Sequence, residues 1–272
     1  MVNVYEYDTY IAPINHLIGR YIREYDISKA NINILLYLGL IDKSTYNYLY
    51  NADRMTRQIK VGYMQKNRDI AKALSEGFKF MRTEFCTMNN IQNYDILSVK
   101  KDAIYLIDKI PSHTTISNQN NTIEFVTKNT YTSWYRLDKV EYYYYLNTMT
   151  KEEKLDIKGI SDITIGLHEN YMIDLLKYLF NLAQNKRYID AIDTIRNFIS
   201  KLNNREISIE YYRELNNRSM FKVNGVVDGY AMYLEGLNSK VKPTDIDISY
   251  NIGILTELYK IYMGYAIGGK YV

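Results

Sequence analysis

YIREYDISKANINILLYLGL, residues 21–40, is the stretch around which the rest of the chain is arranged. Its opening, Tyr21–Ile27, predicts a strand that delivers one carboxylate, Asp26. A helix follows directly, with Ala30, Ile34, Leu35, Tyr37 and Leu38 on its apolar side. A carboxylate at a strand end, just before a helix, faces a site more often than it faces open water. A second such acid stands in Leu97–Ile107, LSVKKDAIYLI, where two apolar half-strands flank the polar tip Lys100-Lys101-Asp102. That pattern predicts a hairpin, and a hairpin here brings Asp102 up beside Asp26.

Outward from this pair, Met1–Arg20 has no clear period and is punctuated by Pro13 and Gly19, which predicts a surface segment or an edge strand. Asp42-Lys43-Ser44 is a break, with Ser44 as N-cap of a short helix through Tyr50. Asp53–Gln65 has helical composition. Arg54, Arg57 and Lys60 recur every third residue and lie along one slowly drifting face. Such a row reads either as a solvated basic face or as a cationic ladder for phosphates. Ile70–Met88 predicts a longer helix with Ala73, Leu74, Gly77, Phe78, Met81, Phe85 and Met88 as its buried stripe.

Pro111–Asn121 is polar and reads as an exposed loop. Three β-rich pieces follow, Thr122–Thr127, Tyr131–Arg136 and Val140–Leu146, and then a short strand, Leu155–Ile160. The consecutive tyrosines Tyr142–Tyr145 place aromatics on both faces of a strand. From about Asn170 the texture turns helical, through Tyr171–Leu182 and Ile189–Leu202. Ile207–Leu215 adds a short element, Phe221–Gly236 resists assignment, and a last helix runs from about Ile246 to Met263. The texture change near residue 165 divides the chain into an α+β part, 1–165, and a mainly helical part, 166–272.

At 272 residues with 47% apolar content, the chain has ample material for one large domain or two small ones. The formal net charge of +3 is too even to argue for nucleic acid by itself. No apolar run reaches the length of a membrane span, and no secretory signal opens the chain, so the expectation is a cytoplasmic protein without membrane partners. Cys86 is the only cysteine, which excludes a disulfide framework. The 30 tyrosines, with heavy use of Asn, Ile and Lys, share AT-rich codons and point to the genome of a virus or a low-GC bacterium. Most of the tyrosines read as core and boundary filler.

Two aspartates brought together by a strand end and a hairpin tip suit magnesium, which keeps waters and completes its shell with substrate phosphates. Paired metals roughly 4 Å apart activate an attacking oxygen and stabilise a leaving one. His16, His113 and His168 fall in no metal-ligand spacing. A phosphate-binding Gly-x-x-x-x-Gly-Lys loop, a Gly-x-Gly-x-x-Gly turn and a Gly-x-Ser-x-Gly elbow are all absent from the sequence.

The order of elements resembles the palm and thumb of a template-directed DNA polymerase, most like family B and partly like family A. YDISKANINIL, with Asp26, resembles the first motif. RMTRQIKVGYM, Arg54–Met64, is similar to the basic helix that follows it, and Asp102-Ala103-Ile104-Tyr105 resembles the family B hairpin. Lys139–Tyr145 and Lys158-Gly159 look like the strands that precede the thumb. The resemblance covers about residues 21–210. It implies an antiparallel palm-like sheet with helices on one face, short fingers-like helices, and a helical thumb-like region. It also implies magnesium on Asp26 and Asp102, and Arg57 and Lys60, with Arg54, on an incoming triphosphate. Tyr63 would lie near the nascent base pair, Asn31 at the sugar-sensing position, and Lys158 on the duplex backbone. The implied partner is primer–template DNA, with the other subunit of a split viral polymerase as a further one.

The chain departs from the family pattern in several places. Lys100 replaces the first hairpin acid, Gly62-Tyr63 reverses the usual pair, and Asn31 makes a poor steric wall. The interval from Asp26 to Asp102 is short for full fingers, and there is no room for an N-terminal exonuclease domain. These departures favour the alternative of a non-catalytic protein, either a lapsed palm that binds nucleic acid or a viral structural protein.

Overall fold

The computed structural model describes residues 3–137, 140–147, 149–150, 152–159, 162–204, 206, 222–223, 227–228 and 245–268. The fold is α+β and its strand pairs are antiparallel. The chain forms two compact units. One comprises Met1–Pro13 and Arg20–Tyr131, and the other Ile14–Gly19 and Thr132–Val272. Strand gives way to helix near residue 165, but the units divide earlier, inside one long strand. The strands past that point pack with the helices that follow them.

In the first unit, β1 (Thr9–Ile11) pairs with β3 (Ile96–Lys100), β3 with β4 (Ala103–Ile107), and β4 with β2 (His16–Ile27). β6 (Thr122–Leu137) lies beyond β2, with β5 (Thr115–Ser117) on its free side. β2 starts well before Tyr21, at His16, and runs through Gly19, whose φ of +68 other residues rarely adopt. β5 occupies part of the expected loop. Asn118 holds the turn after it by accepting from the backbone N–H groups of Asn120 and Asn121.

Three of the four α-helices of this unit, all but the first, open on a side-chain cap. α1 (Ala30–Tyr37) buries Ile32, Ile34 and Leu35, whereas Leu38 falls past its end and is exposed. α2 (Lys43–Asn51) is capped by Asp42, which accepts from the Thr45 N–H at 2.7 Å, and not by Ser44. Two capping residues stand close together there, and the carboxylate reaches the third N–H first. α3 (Arg54–Met64) is capped in the same way by Asp53. α4 (Arg68–Met88) buries Leu74, Gly77, Phe78, Met81 and Phe85 against the sheet residues Ile96, Val99, Ile104, Leu106 and Phe125. Phe85 stacks on Phe125 at 4.2 Å. Cys86 lies within this core, and burial pushes its thiol up to about 12, which suits a packing residue and not a nucleophile.

In the second unit, β6 pairs with β7 (Val140–Leu146) and β7 with β8 (Glu153–Lys158). α5 (Asp162–Gln184), α6 (Tyr188–Asn203) and α7 (Asp245–Ala266) supply the apolar side chains that meet Tyr135, Tyr142 and Tyr144. Tyr143 takes the opposite face, beside Trp134, so the tyrosine run does put aromatics on both faces. β8 ends at Lys158, before Gly159 at φ +90. Short strands β9 (Lys222–Val223) and β10 (Val227–Asp228) fall within the stretch that resisted assignment. Ile160, the Ile207–Leu215 element and the rest of Phe221–Gly236 lie outside the described residues. Among the described residues no helix is long and apolar enough to cross a membrane.

Candidate active site

Asp26 and Asp102 meet because of strand register. Tyr25 on β2 pairs with Ile104 on β4, so Asp26 stands level with Ala103, the first residue after the hairpin turn. The turn itself is Lys101-Asp102, with Lys101 left-handed at φ +54. α4 holds it from behind. The fully buried Arg82 donates from Nε to the Tyr5 carbonyl at 2.9 Å, from Nη2 to the Tyr7 carbonyl at 2.8 Å, and from Nη1 to the Lys101 carbonyl. One guanidinium thus ties the N-terminal segment and the hairpin tip together.

A cavity of about 440 Å³ opens at this junction, lined by Asp26, Asn31, Arg54, Arg57, Asp102 and Lys128 among others. Its size falls in the range of small-molecule sites, about 300–1,000 Å³. The lining comes from the end of β2, the start of α1, α3, the hairpin turn and β6. Lys29, just before α1, is left-handed at φ +49. Its ammonium turns to α2, where it donates to the Tyr50 carbonyl at 2.8 Å and lies over the Tyr50 ring.

The two acids differ in their partners. Lys128 Nζ donates to Asp26 Oδ2 at 2.8 Å, and that bond raises the lysine above its ordinary value. Asp26 Oδ1 is buried and accepts no hydrogen bond, and neither does the buried Oδ1 of Asn31. Burial raises the Asp102 carboxyl, and the Asp26 carboxylate raises it further. A third acid, Glu24, precedes Asp26 by two residues on the same face of β2, but its oxygens are committed. Oε1 accepts from the Tyr105 hydroxyl at 2.7 Å, and Oε2 from Asn129 Nδ2 at 2.6 Å. Among the described residues no cluster of three or more His, Cys, Asp or Glu could hold a metal ion.

The cationic row divides. Arg54 and Arg57 line the cavity, while Lys60 is exposed and does not. At 3.6 residues per turn a three-residue spacing drifts by about 60° at each step, which carries Lys60 off the face. Arg57 also donates from Nη1 to the Ala52 carbonyl at 3.1 Å, so part of its guanidinium closes the C-terminus of α2. Tyr63 is 61% exposed and does not line the cavity, and Lys66 Nζ sits 4.3 Å from its ring centroid. Lys158 belongs to the second unit, with its ammonium 5.1 Å from the Tyr143 ring centroid. Lys128 was not among the sequence candidates. Its signal is the polar interruption Lys128-Asn129-Thr130 between two β-rich pieces, which the structure joins into one strand.

The donor set fits magnesium in one respect. Two carboxylates and an amide carbonyl, two of whose oxygens are buried without a donor, offer hard oxygen ligands. Magnesium takes one or two protein carboxylates and fills the rest of its shell with waters and phosphates.

A protein-family model described as Bacteriophage PBS1 gene 130 protein matches residues 1–264. No curated protein matches the chain.

Proposed function

The chain belongs to the Bacteriophage PBS1 gene 130 protein family, and we propose that its charged cavity carries out nucleotidyl transfer to a nucleic-acid 3′ end. The observation that carries this reading is the joint lining of one nucleotide-sized cavity by two acids, Asp26 and Asp102, and two arginines, Arg54 and Arg57. Acids that hold a cation and arginines that hold phosphate are the two requirements of phosphoryl transfer, which depends on positioning and charge stabilisation.

In this reading Asp26 and Asp102 hold magnesium, and bound magnesium supplies a Lewis acid at the reacting phosphate. Arg54 donates to the outer phosphate oxygens, and Arg57 does so with the part of its guanidinium not committed to Ala52. The unpartnered Asn31 carbonyl accepts from a sugar hydroxyl. With Asp26 holding magnesium, Lys128 would be released to pair with the incoming phosphates. The substrates are a nucleoside triphosphate and a primer–template, and a second polymerase subunit is a fitting partner for so short a set of fingers-like helices.

A second reading rests on Lys128. An ammonium at 2.8 Å already neutralises Asp26, and Lys100 stands where the polymerase families place another acid. That pattern favours a lapsed palm that binds nucleic acid without turnover. Calorimetric titration with dTTP and magnesium separates the two. The catalytic reading expects magnesium-dependent binding that Arg54→Ala weakens about tenfold, the loss of one charge-assisted bond. Binding that is absent from the wild-type chain, or indifferent to magnesium, contradicts it.

A further inference from the structure

α3 has a second face. Met55, Ile59 and Tyr63 follow one another at four-residue intervals and are 70%, 49% and 61% exposed. They form a single stripe, while Val61 on the other side packs against Ile32 and Leu49. The stripe therefore serves neither the core nor the cavity. The run of sequence that carries it is basic. From Arg54 to Arg68 the sequence holds Arg54, Arg57, Lys60, Lys66 and Arg68 and no acid. Asp53, just before this run, has its carboxylate engaged by Thr56. Lys66 stands over the Tyr63 ring, so a cation and an aromatic face are already set side by side.

We propose that this face of α3 binds single-stranded nucleic acid, with bases lying on Met55, Ile59 and Tyr63 and phosphates on Lys60, Lys66 and Arg68. The charge complements a polyanion, and flat apolar and aromatic side chains complement exposed base faces. A duplex keeps its bases stacked on one another and offers the stripe nothing. The stripe spans about 12 Å of helix, enough for about three stacked nucleotides at ~3.4 Å each. The inference stands apart from the chemistry of the cavity and holds whether or not that cavity turns over.

The test is fluorescence anisotropy of the full chain with a labelled oligo-dT of twenty nucleotides at two salt concentrations. Binding is expected to be salt-sensitive and tighter than to a duplex of equal length. Tyr63→Ala weakens it about tenfold, and Tyr63→Phe, which keeps the ring, changes it less than about twofold. Lys60→Gln with Lys66→Gln flattens the log–log salt slope by about 1.4. All these side chains are exposed, and a thermal melt checks that each variant folds. The dTTP titration reads the cavity separately: Ile59→Ala weakens oligo-dT binding and keeps dTTP binding. No oligo-dT binding by the wild-type chain, or equal binding by Tyr63→Ala, overturns the proposal. Capture of polyglutamate by this face in place of oligo-dT also overturns it, in favour of an acidic protein partner.

Discussion

Lys128 gives the cavity a cation of its own, and Asp102 feels the consequences of crowding. Burial and the neighbouring Asp26 carboxylate raise Asp102 above its ordinary value of 3.8. A carboxyl raised in the folded state favours the fold only while protonated. Its ionisation therefore costs nothing below the ordinary value, and the cost accrues as pH rises through the raised one. Asp102→Asn removes that cost. The variant is expected to be more stable than the parent at neutral pH, with the advantage vanishing as pH falls to about 4. Urea midpoints across a pH series measure it, and midpoints that differ by the same amount at every pH contradict it. Asp26 and Asp102 were both legible as acids at element ends. Lys128 was not, because a lone lysine in a polar break carries no local sign of the residue it will face across a sheet.

Elements were more legible than their edges. The hairpin emerged where its apolar–polar–apolar pattern put it, since a two-residue turn needs only a tip that tolerates a left-handed residue, here Lys101. β6 reads as two pieces because Lys128 and Asn129 break its period, and they do so to meet the carboxylates of Asp26 and Glu24. The cap of α2 turned on whether the helix opens after Asp42 or after Ser44, which composition does not decide; Asp42 takes the Thr45 N–H. α4 and α1 approach closely at Gly77. A Cβ added there would come within 2.5 Å of Ile34 Cγ2, and Ile34 is fully buried and branched. Overpacking costs about 1–3 kcal/mol, against a helix-propensity gain for Ala of about 1 kcal/mol. Gly77→Ala is therefore expected to lower stability by about 1 kcal/mol in denaturant unfolding, whereas a rise in stability would mean that α1 yields freely.

At the scale of the whole molecule, composition was informative about packing and origin and nearly silent about chemistry. Tyr105, Tyr131, Tyr135, Tyr142, Tyr144 and Tyr262 are all buried, so much of the tyrosine excess is core. The AT-rich codon bias agrees with a bacteriophage family. An even charge balance concealed the local basic run of α3, because acids elsewhere in the chain offset it. The two compact units divide within a strand, where no linker composition marks the place.

Primer extension bears most directly on the proposal that Asp26 and Asp102 serve catalysis. Purified chain is incubated with labelled primer–template, all four nucleotides and magnesium, beside an Asp26→Ala chain that melts like the parent. The expected result is extension by the parent and loss of at least about a hundredfold in the variant, the scale on which removing a group that stabilises the transition state acts. Extension that survives Asp26→Ala, or a parent that binds dTTP with magnesium and never extends the primer, would contradict it.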